Sequence, residues 1–272
     1  MSDPRLVPDR DRPGSWIVRI SETDQSYVDP SDPTWLEFDY VQRIAAVIDQ
    51  LGPPGQRLRV VHVGGGGLTL PRYVAATRPT SAQLVFEPDA TLTAAVRQVA
   101  PLPRRSGVKV RPLDGRAGLA ALPDGHADLV IVDAFAGPSV PAELAAAEWF
   151  ADVARVVGPA GTLVMNLTDH GALAWSRRVV AGVAEAFLGR GGRLTLAVES
   201  STLKGRRFGN LIVAAGPALD VAGLARRAAG APFPYRLLAG PELARWLGGA
   251  RPFTDADARP SPPPPDGPTT FR

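Results

Sequence analysis

"RLRVVHVGGGGLTLPRYVAA", residues 57–76, runs a short apolar strand into four consecutive glycines and then into a helical stretch. Glycine loses more backbone entropy on ordering than any other residue, so Gly64, Gly65, Gly66 and Gly67 at one strand end need a reason. Either the turn is tight, or another molecule comes too close for a Cβ. A strand-to-helix connection with no ligand is the plain alternative.

Working outward, apolar strands alternate with helical stretches. Strands are expected at 59–63, 82–87, 108–113, 127–133, 161–167, 193–199 and 210–216. Helices are expected between them at 89–100, 141–157 and 171–188. Such alternation builds a doubly wound, mainly parallel sheet. Ten residues separate the last two strands, too few for a crossover helix, so these two should pair antiparallel. The expected fold is therefore α/β: a seven-stranded, Rossmann-like sheet ending in an antiparallel hairpin, over residues 56–250.

A short N-terminal extension, residues 15–55, precedes it. There "WIVRI" reads as a strand, and Leu36, Tyr40, Ile44, Val47, Ile48 and Leu51 fall at helical spacing until "GPPG" stops the helix. Residues 1–14 show no period and are expected to be disordered. The proline-rich tail, 251–272, can form neither helix nor central strand.

Thirty Lys and Arg against 27 Asp and Glu give a net charge of +3, with the two signs interspersed, which argues against a nucleic-acid partner. Cysteine is absent, which excludes thiolate chemistry. His62, His126 and His170 are scattered, so no metal is expected. No long apolar run and no signal-peptide pattern is visible, and a cytoplasmic protein without a membrane partner is expected.

A doubly wound sheet binds its ligand beyond the carboxyl ends of its strands, where strand order reverses. The glycine turn lacks the third glycine of the dinucleotide pattern, because Thr69 stands there. Its Val-x-x-Val-Gly-x-Gly-x form suits adenosine with a sulfonium side chain above the loop. Three acids close successive strands. Glu87 can accept both ribose hydroxyls, or be a solvated strand-end acid. Asp114 can accept from the adenine amino group, with Gly115 allowing close approach, or Asp-Gly is simply a turn. Asp133 ends an apolar strand and faces the cleft. Together they describe a site for S-adenosylmethionine or a relative.

With these residues in place, the sequence resembles the spermidine synthase-like aminopropyltransferases over about residues 24–216, within the class I adenosylmethionine-dependent transferase fold. "DQSYVDPSDPTWLEFDYVQRI", "HVGGGGLTLPRYVA", "FEPD", "LDGRAGL", "VIVDAFAGPSVPAEL" and "RRFGNLIVAAG" carry the likeness. The resemblance implies Gln25 and Gly64–Gly66 near the nucleoside, Glu87 on the ribose, Asp114 and Gly115 at the adenine, and Asp133 as the group that deprotonates the attacking amine. It also implies a small-molecule amine acceptor. The short extension argues against the family's usual tetramer and leaves a homodimer open.

Two departures matter. Gly67 replaces the loop aspartate that grips the donor's ammonium, and Ala136 stands where the family has its second loop acid. Three readings stay open. One is aminopropyl transfer from decarboxylated S-adenosylmethionine. Another is methyl transfer from the intact molecule, favoured by the charge lost at Gly67. The third is a non-catalytic nucleoside-binding protein. Asp24, Asp29, Asp32, Glu37 and Asp39 are candidates to replace the lost acids, and Tyr27 is a candidate wall of the acceptor site. Trp35, Phe38 and Tyr40 either wall the cleft or pack on the core. Asp169 reads as a helix cap, His170 as a cap neighbour or a base, His62 as structural, and Arg206 and Arg207 as solvated.

Overall fold

The structure is a computed structural model and describes residues 5–20, 23–232 and 235–265. Eight strands form the main sheet: β4 (Arg59–Val63), β5 (Ala82–Phe86), β6 (Val108–Arg111), β7 (Leu129–Val132), β8 (Thr162–Asp169), β9 (Arg193–Glu199), β10 (Gly209–Gly216) and β11 (Tyr235–Ala239). Their order is β11-β9-β10-β8-β7-β4-β5-β6. The five strands β6, β5, β4, β7 and β8 run parallel, and β10 pairs antiparallel with both β8 and β9.

One strand more than expected is present. β11 pairs antiparallel with β9, Leu238 opposite Leu196. Its five residues carry little alternation, and it is the free edge of β9 that makes them a strand.

The chain winds from β4 outward to β6, returns, and winds outward again from β7. The reversal lies between β4 and β7, whose carboxyl ends therefore flank an open crevice. Strand alternation splits the core in two. Val61, Val63, Val130, Val132 and Leu163 pack under α5 (Ala147–Val157) and α6 (Ala174–Leu188). Val60, Leu129, Ile131 and Val164 pack under α1 (Asp39–Asp49) and α2 (Thr69–Thr77). All four residues of β7 are buried, as an apolar strand covered on both faces must be. The helix expected over 141–157 starts only at Ala147. A 3₁₀ turn at Ala142–Leu144 precedes it, and Ala146 instead bridges to Phe253.

The N-terminal end departs from expectation. Residues Arg5–Pro8 form β1, which pairs with β2 (Trp16–Ile20), and β2 pairs with β3 (Thr23–Val28). Residues 5–14 are thus ordered: Asp9 accepts from the Tyr27 hydroxyl at 2.8 Å, and Arg12 ion-pairs with Asp29. In the tail, Phe253 and Ser261 are buried, so residues 251–265 are part of the folded body although they form neither helix nor strand. Among the described residues no helix is long and apolar enough to cross a membrane.

Candidate active site

The glycine turn caps β4. Gly64 has φ +93° and donates its N–H to Phe86 O at 2.9 Å; a Cβ there would lie 2.2 Å from the Asp133 carbonyl oxygen. No L side chain fits, so this glycine lets β4 and β7 end side by side. At Gly67 a Cβ would lie 2.9 Å from Ser26 Oγ and 3.3 Å from Val18. The N-terminal sheet sits on the loop here, and Thr69 reinforces the contact by donating to the Tyr27 carbonyl. Position 67, where the resemblance calls for aspartate, is filled by a neighbouring strand.

Glu87 follows β5 and is nearly buried. Its Oε2 accepts from Gly65 N at 2.8 Å and Gly66 N at 3.3 Å, and its Oε1 accepts from Asp89 N at 2.9 Å. The carboxylate therefore fixes the loop: Oε2 spends both acceptor sites on Gly65 and Gly66, and Oε1 keeps one.

Asp114 is exposed and caps α4 (Gly115–Ala120), accepting from Ala117 N at 2.8 Å through Oδ1; Asp-Gly thus opens a helix instead of making a turn, and Asp114 lines the cleft. Gly115 lines the cavity too, and a Cβ there would meet Val63 Cγ1 at 2.2 Å, so glycine is also what lets α4 start against β4.

Asp133 follows β7 and donates its N–H to Val63 O at 2.9 Å. Its Oδ1 accepts from Asn166 Nδ2, on β8, at 3.0 Å. Burial pushes its carboxyl up to about 6, against the pull of Asn166 and of the Tyr40 hydroxyl. Tyr40, in the first turn of α1, is raised well above its ordinary value by burial and by the Asp133 charge. Its ring belongs to the packed layer beside α1 while its hydroxyl serves Asp133, so both readings of this residue hold. Asn166 escaped the sequence reading; the signal was an amide inside the apolar run "LVMNL".

These residues line one cavity of about 1150 Å³. Gln25, Gly64, Gly65, Gly66, Glu87, Asp114, Gly115 and Asp133 all border it. Tyr27 does not: Ser26 faces the glycine loop, so strand alternation turns Tyr27 away into a buried place beside Asp9. Of the acids proposed to replace the lost anchors, Asp24, Glu37 and Asp39 reach the cavity, whereas Asp29 and Asp32 are held by Arg12.

Phe38 lines the cavity and stacks on Tyr40, and Trp35 lies outside it. Asp169 ends β8 and is not the cap of α6, which is Leu173; its carboxylate accepts from His170 N and reaches forward to Ser176 N in the helix's first turn. His170 packs near Phe208. His62 is buried against Gln83 Oε1 at 2.9 Å, and burial depresses it to about 4. Arg206 is exposed, while Arg207 borders the cavity.

Among the described residues nine carboxylates and one arginine line the cavity, in a chain whose overall charge is +3. Three of these carboxylates have arginine partners outside the lining: Asp24 pairs with Arg19 at 2.6 Å, and Arg43 pairs with Asp39 and lies 3.5 Å from Glu199. Burial and the Glu199 carboxylate raise Asp39 against the pull of Arg43. Such a lining attracts cations and repels anions.

No protein-family model matches the chain, and no curated protein matches it in sequence. Solved structures do. A probable spermidine synthase from Corynebacterium glutamicum is 27% identical over 94% of both chains, with a TM-score of 0.85. The spermidine synthase from Thermotoga maritima matches at 13% identity, over 94% of this chain and 83% of the other, with a TM-score of 0.55. Human methyltransferase-like protein 13, solved with S-adenosylhomocysteine, matches at 21% identity, over 79% of this chain and 93% of the other, with a TM-score of 0.52. The sheet order, the glycine turn and these neighbours together give the chain a spermidine synthase-like architecture within the class I methyltransferase fold.

Proposed function

We propose that this protein is a transferase that moves an aminopropyl group from decarboxylated S-adenosylmethionine to an amine. One observation carries the reading: among the described residues eight further carboxylates line the cleft with Asp133, whose carboxyl is pushed up to about 6. An ammonium acceptor and a donor without a carboxylate both suit that field, whereas the carboxylate of intact S-adenosylmethionine opposes it. The cavity also exceeds the roughly 300–1000 Å³ of ordinary ligand pockets, which leaves room for nucleoside and acceptor together. A spermidine synthase solved with the transition-state analogue AdoDATO, and the methyltransferase-like protein solved with S-adenosylhomocysteine, support a donor of this type.

In this mechanism Gln25 and the Gly64–Gly66 turn flank the nucleoside, Glu87 takes a ribose hydroxyl on the remaining lone pair of Oε1, and Asp114 and Gly115 border the adenine. The acceptor arrives as an ammonium ion, and Asp133 removes one proton. The freed lone pair forms a nitrogen–carbon bond at the carbon next to sulfur while the carbon–sulfur bond breaks. Sulfur keeps that electron pair and leaves as methylthioadenosine. The sulfonium is already a good leaving group, so alignment and deprotonation are what the protein supplies. An ordinary ammonium titrates near 10. The raised Asp133 and a desolvated amine bring the two groups closer in proton affinity.

Methyl transfer is the second reading. Its support is local: beyond Gly67 the loop faces Ser26 and Thr69, which are uncharged. The test is to incubate the protein with each donor and a diamine, and to identify products by mass spectrometry. An aminopropylated amine with methylthioadenosine is expected. Methylated amine from the intact donor would replace the proposal by the second reading. Absence of turnover and of nucleoside binding in calorimetry would leave a non-catalytic fold.

A further inference from the structure

The loop after Asp133 lines the cleft with Ala134, Phe135, Ala136, Gly137 and Pro138. Its tip is closed only on itself, by Ala136 N to Ser139 O at 2.8 Å, and Gly137 there has φ +61° with open space around it. The loop's first foot is in the sheet, where Asp133 N–H meets Val63 O. Its second foot, Val140, is fully buried and held by a residue 121 positions away. Val140 N donates to Ser261 Oγ at 2.9 Å, and Ser261 N donates to Val140 O at 3.0 Å. Ser261 Oγ also lies 3.1 Å from Thr168 Oγ1, on the cleft-lining end of β8.

Ser261 stands between Pro260 and Pro262–Pro265. Proline has no N–H, so across 260–265 this serine carries the one backbone donor, and that donor is spent on the loop. The run reaches the site by fixed points. Ala147 N donates to Phe253 O at 2.8 Å, the Arg178 guanidinium lies 3.8 Å over the Phe253 ring, and Trp175 Nε1 donates to Arg259 O at 2.8 Å. Prolines also lower the entropy lost when such a segment is ordered.

We propose that Ser261 is a positioning residue of the transfer reaction: the C-terminal strap sets the Asp133 loop against the acceptor through Val140 and Thr168. This rests on the reading of the cleft as a transferase site. Asp133 has its own anchors in Val63 and Asn166, so the strap controls the cleft wall and leaves the base's titration alone.

The test compares wild type with Ser261→Ala, which removes the hydroxyl, and Ser261→Thr, which keeps both the hydroxyl and the N–H. Ser261→Ala is expected to raise KM for the amine about tenfold, as one or two lost hydrogen bonds do. The activity midpoint near pH 6 stays in place, and amide exchange over 134–140 speeds up by about tenfold. Ser261→Thr restores all three. A fall in kcat with unchanged KM is what mere loss of folded protein gives, and it would overturn the proposal, as would unchanged exchange over 134–140. If Ser261→Ala fails to fold, wild type decides: the Val140 amide must exchange far more slowly than the loop tip, and equal rates overturn the proposal. Wild type that transfers nothing from either donor refutes the proposed function instead, and the exchange comparison then decides the strap alone.

Discussion

Replacing Asp133 by Asn should make the protein more stable and inactive, and the stability gain should depend on pH. Folding raises this carboxyl from 3.8 to about 6 because it is buried. Between those values the native state holds more protons than the unfolded chain, so this group's contribution to stability falls as pH rises through that window. At about 1.4 kcal/mol per unit, the ionised carboxylate costs the fold about 3 kcal/mol at pH 7.

Asparagine removes that cost. It keeps one oxygen for Asn166 but turns an amide toward the Tyr40 hydroxyl, which gives back about 1 kcal/mol. The net gain of about 2 kcal/mol corresponds to a melting shift of about 4–8 °C for a chain of this size. Thermal melts of both proteins from pH 4.5 to 8 test this directly. The difference should grow up to about pH 6.5 and then stay flat. His62, buried neutral, titrates in an overlapping window with the opposite sign, but it is common to both proteins and cancels in the difference. A wild type that melts as high as the variant at pH 7.5, or a gap that does not change with pH, would refute the assignment of Asp133 as a buried, raised acid.

Other outcomes follow from the same geometry. His62 is depressed to about 4, so its stabilising contribution is complete above pH 6.5 and lost on acidification; His62→Gln should flatten the acid side of a urea-denaturation profile. Gly64→Ala forces a left-handed φ on alanine and drives its Cβ into the Asp133 carbonyl, and it should cost about 2–4 kcal/mol and abolish calorimetric binding of methylthioadenosine. Glu87→Gln leaves one oxygen for three backbone donors, which should lower the melting temperature and weaken methylthioadenosine binding at least tenfold. The rate–pH profile of kcat/KM should rise with a midpoint near 6, since Asp133 accepts a proton only as the carboxylate.

What the sequence made legible is what local chemistry decides. The apolar run of β7, the glycines of the turn and the acids at strand ends follow from burial and from backbone geometry, and they lie where the pattern puts them. What it concealed depends on contacts far apart in the chain. "RLVP" becomes β1 only because Trp16–Ile20 offers an edge, and "YRLLA" becomes β11 only against β9. Tyr27 was legible as an aromatic near the cleft, but its direction follows from Ser26 packing on Gly67, a contact that sequence spacing does not show. The order of residues 251–265 depends on Phe253 filling a place against Arg178 and Ala147, which no proline count reveals.

The two acids missing from the motifs illustrate how a site can keep its field while changing its parts. Aspartate at 67 would have to displace Ser26 and Val18, because the N-terminal sheet lies on that turn. Ala136 sits at the tip of a loop that bends back on itself, short of any fixed partner beyond Ser139. Carboxylates nevertheless reach the cleft from Asp39 at the head of α1, Glu143 in the 3₁₀ turn and Glu199 at the end of β9, three elements far apart in sequence. Because electrostatic attraction for a cation falls slowly with distance inside a low-dielectric cleft, such acids can sustain the attraction that motif positions would otherwise supply. Position along the chain then matters less than the wall onto which each carboxylate opens. On the proposed transferase reading, acceptor preference should accordingly follow the placement of Asp39, Glu143 and Glu199 rather than the letters of the loop motifs.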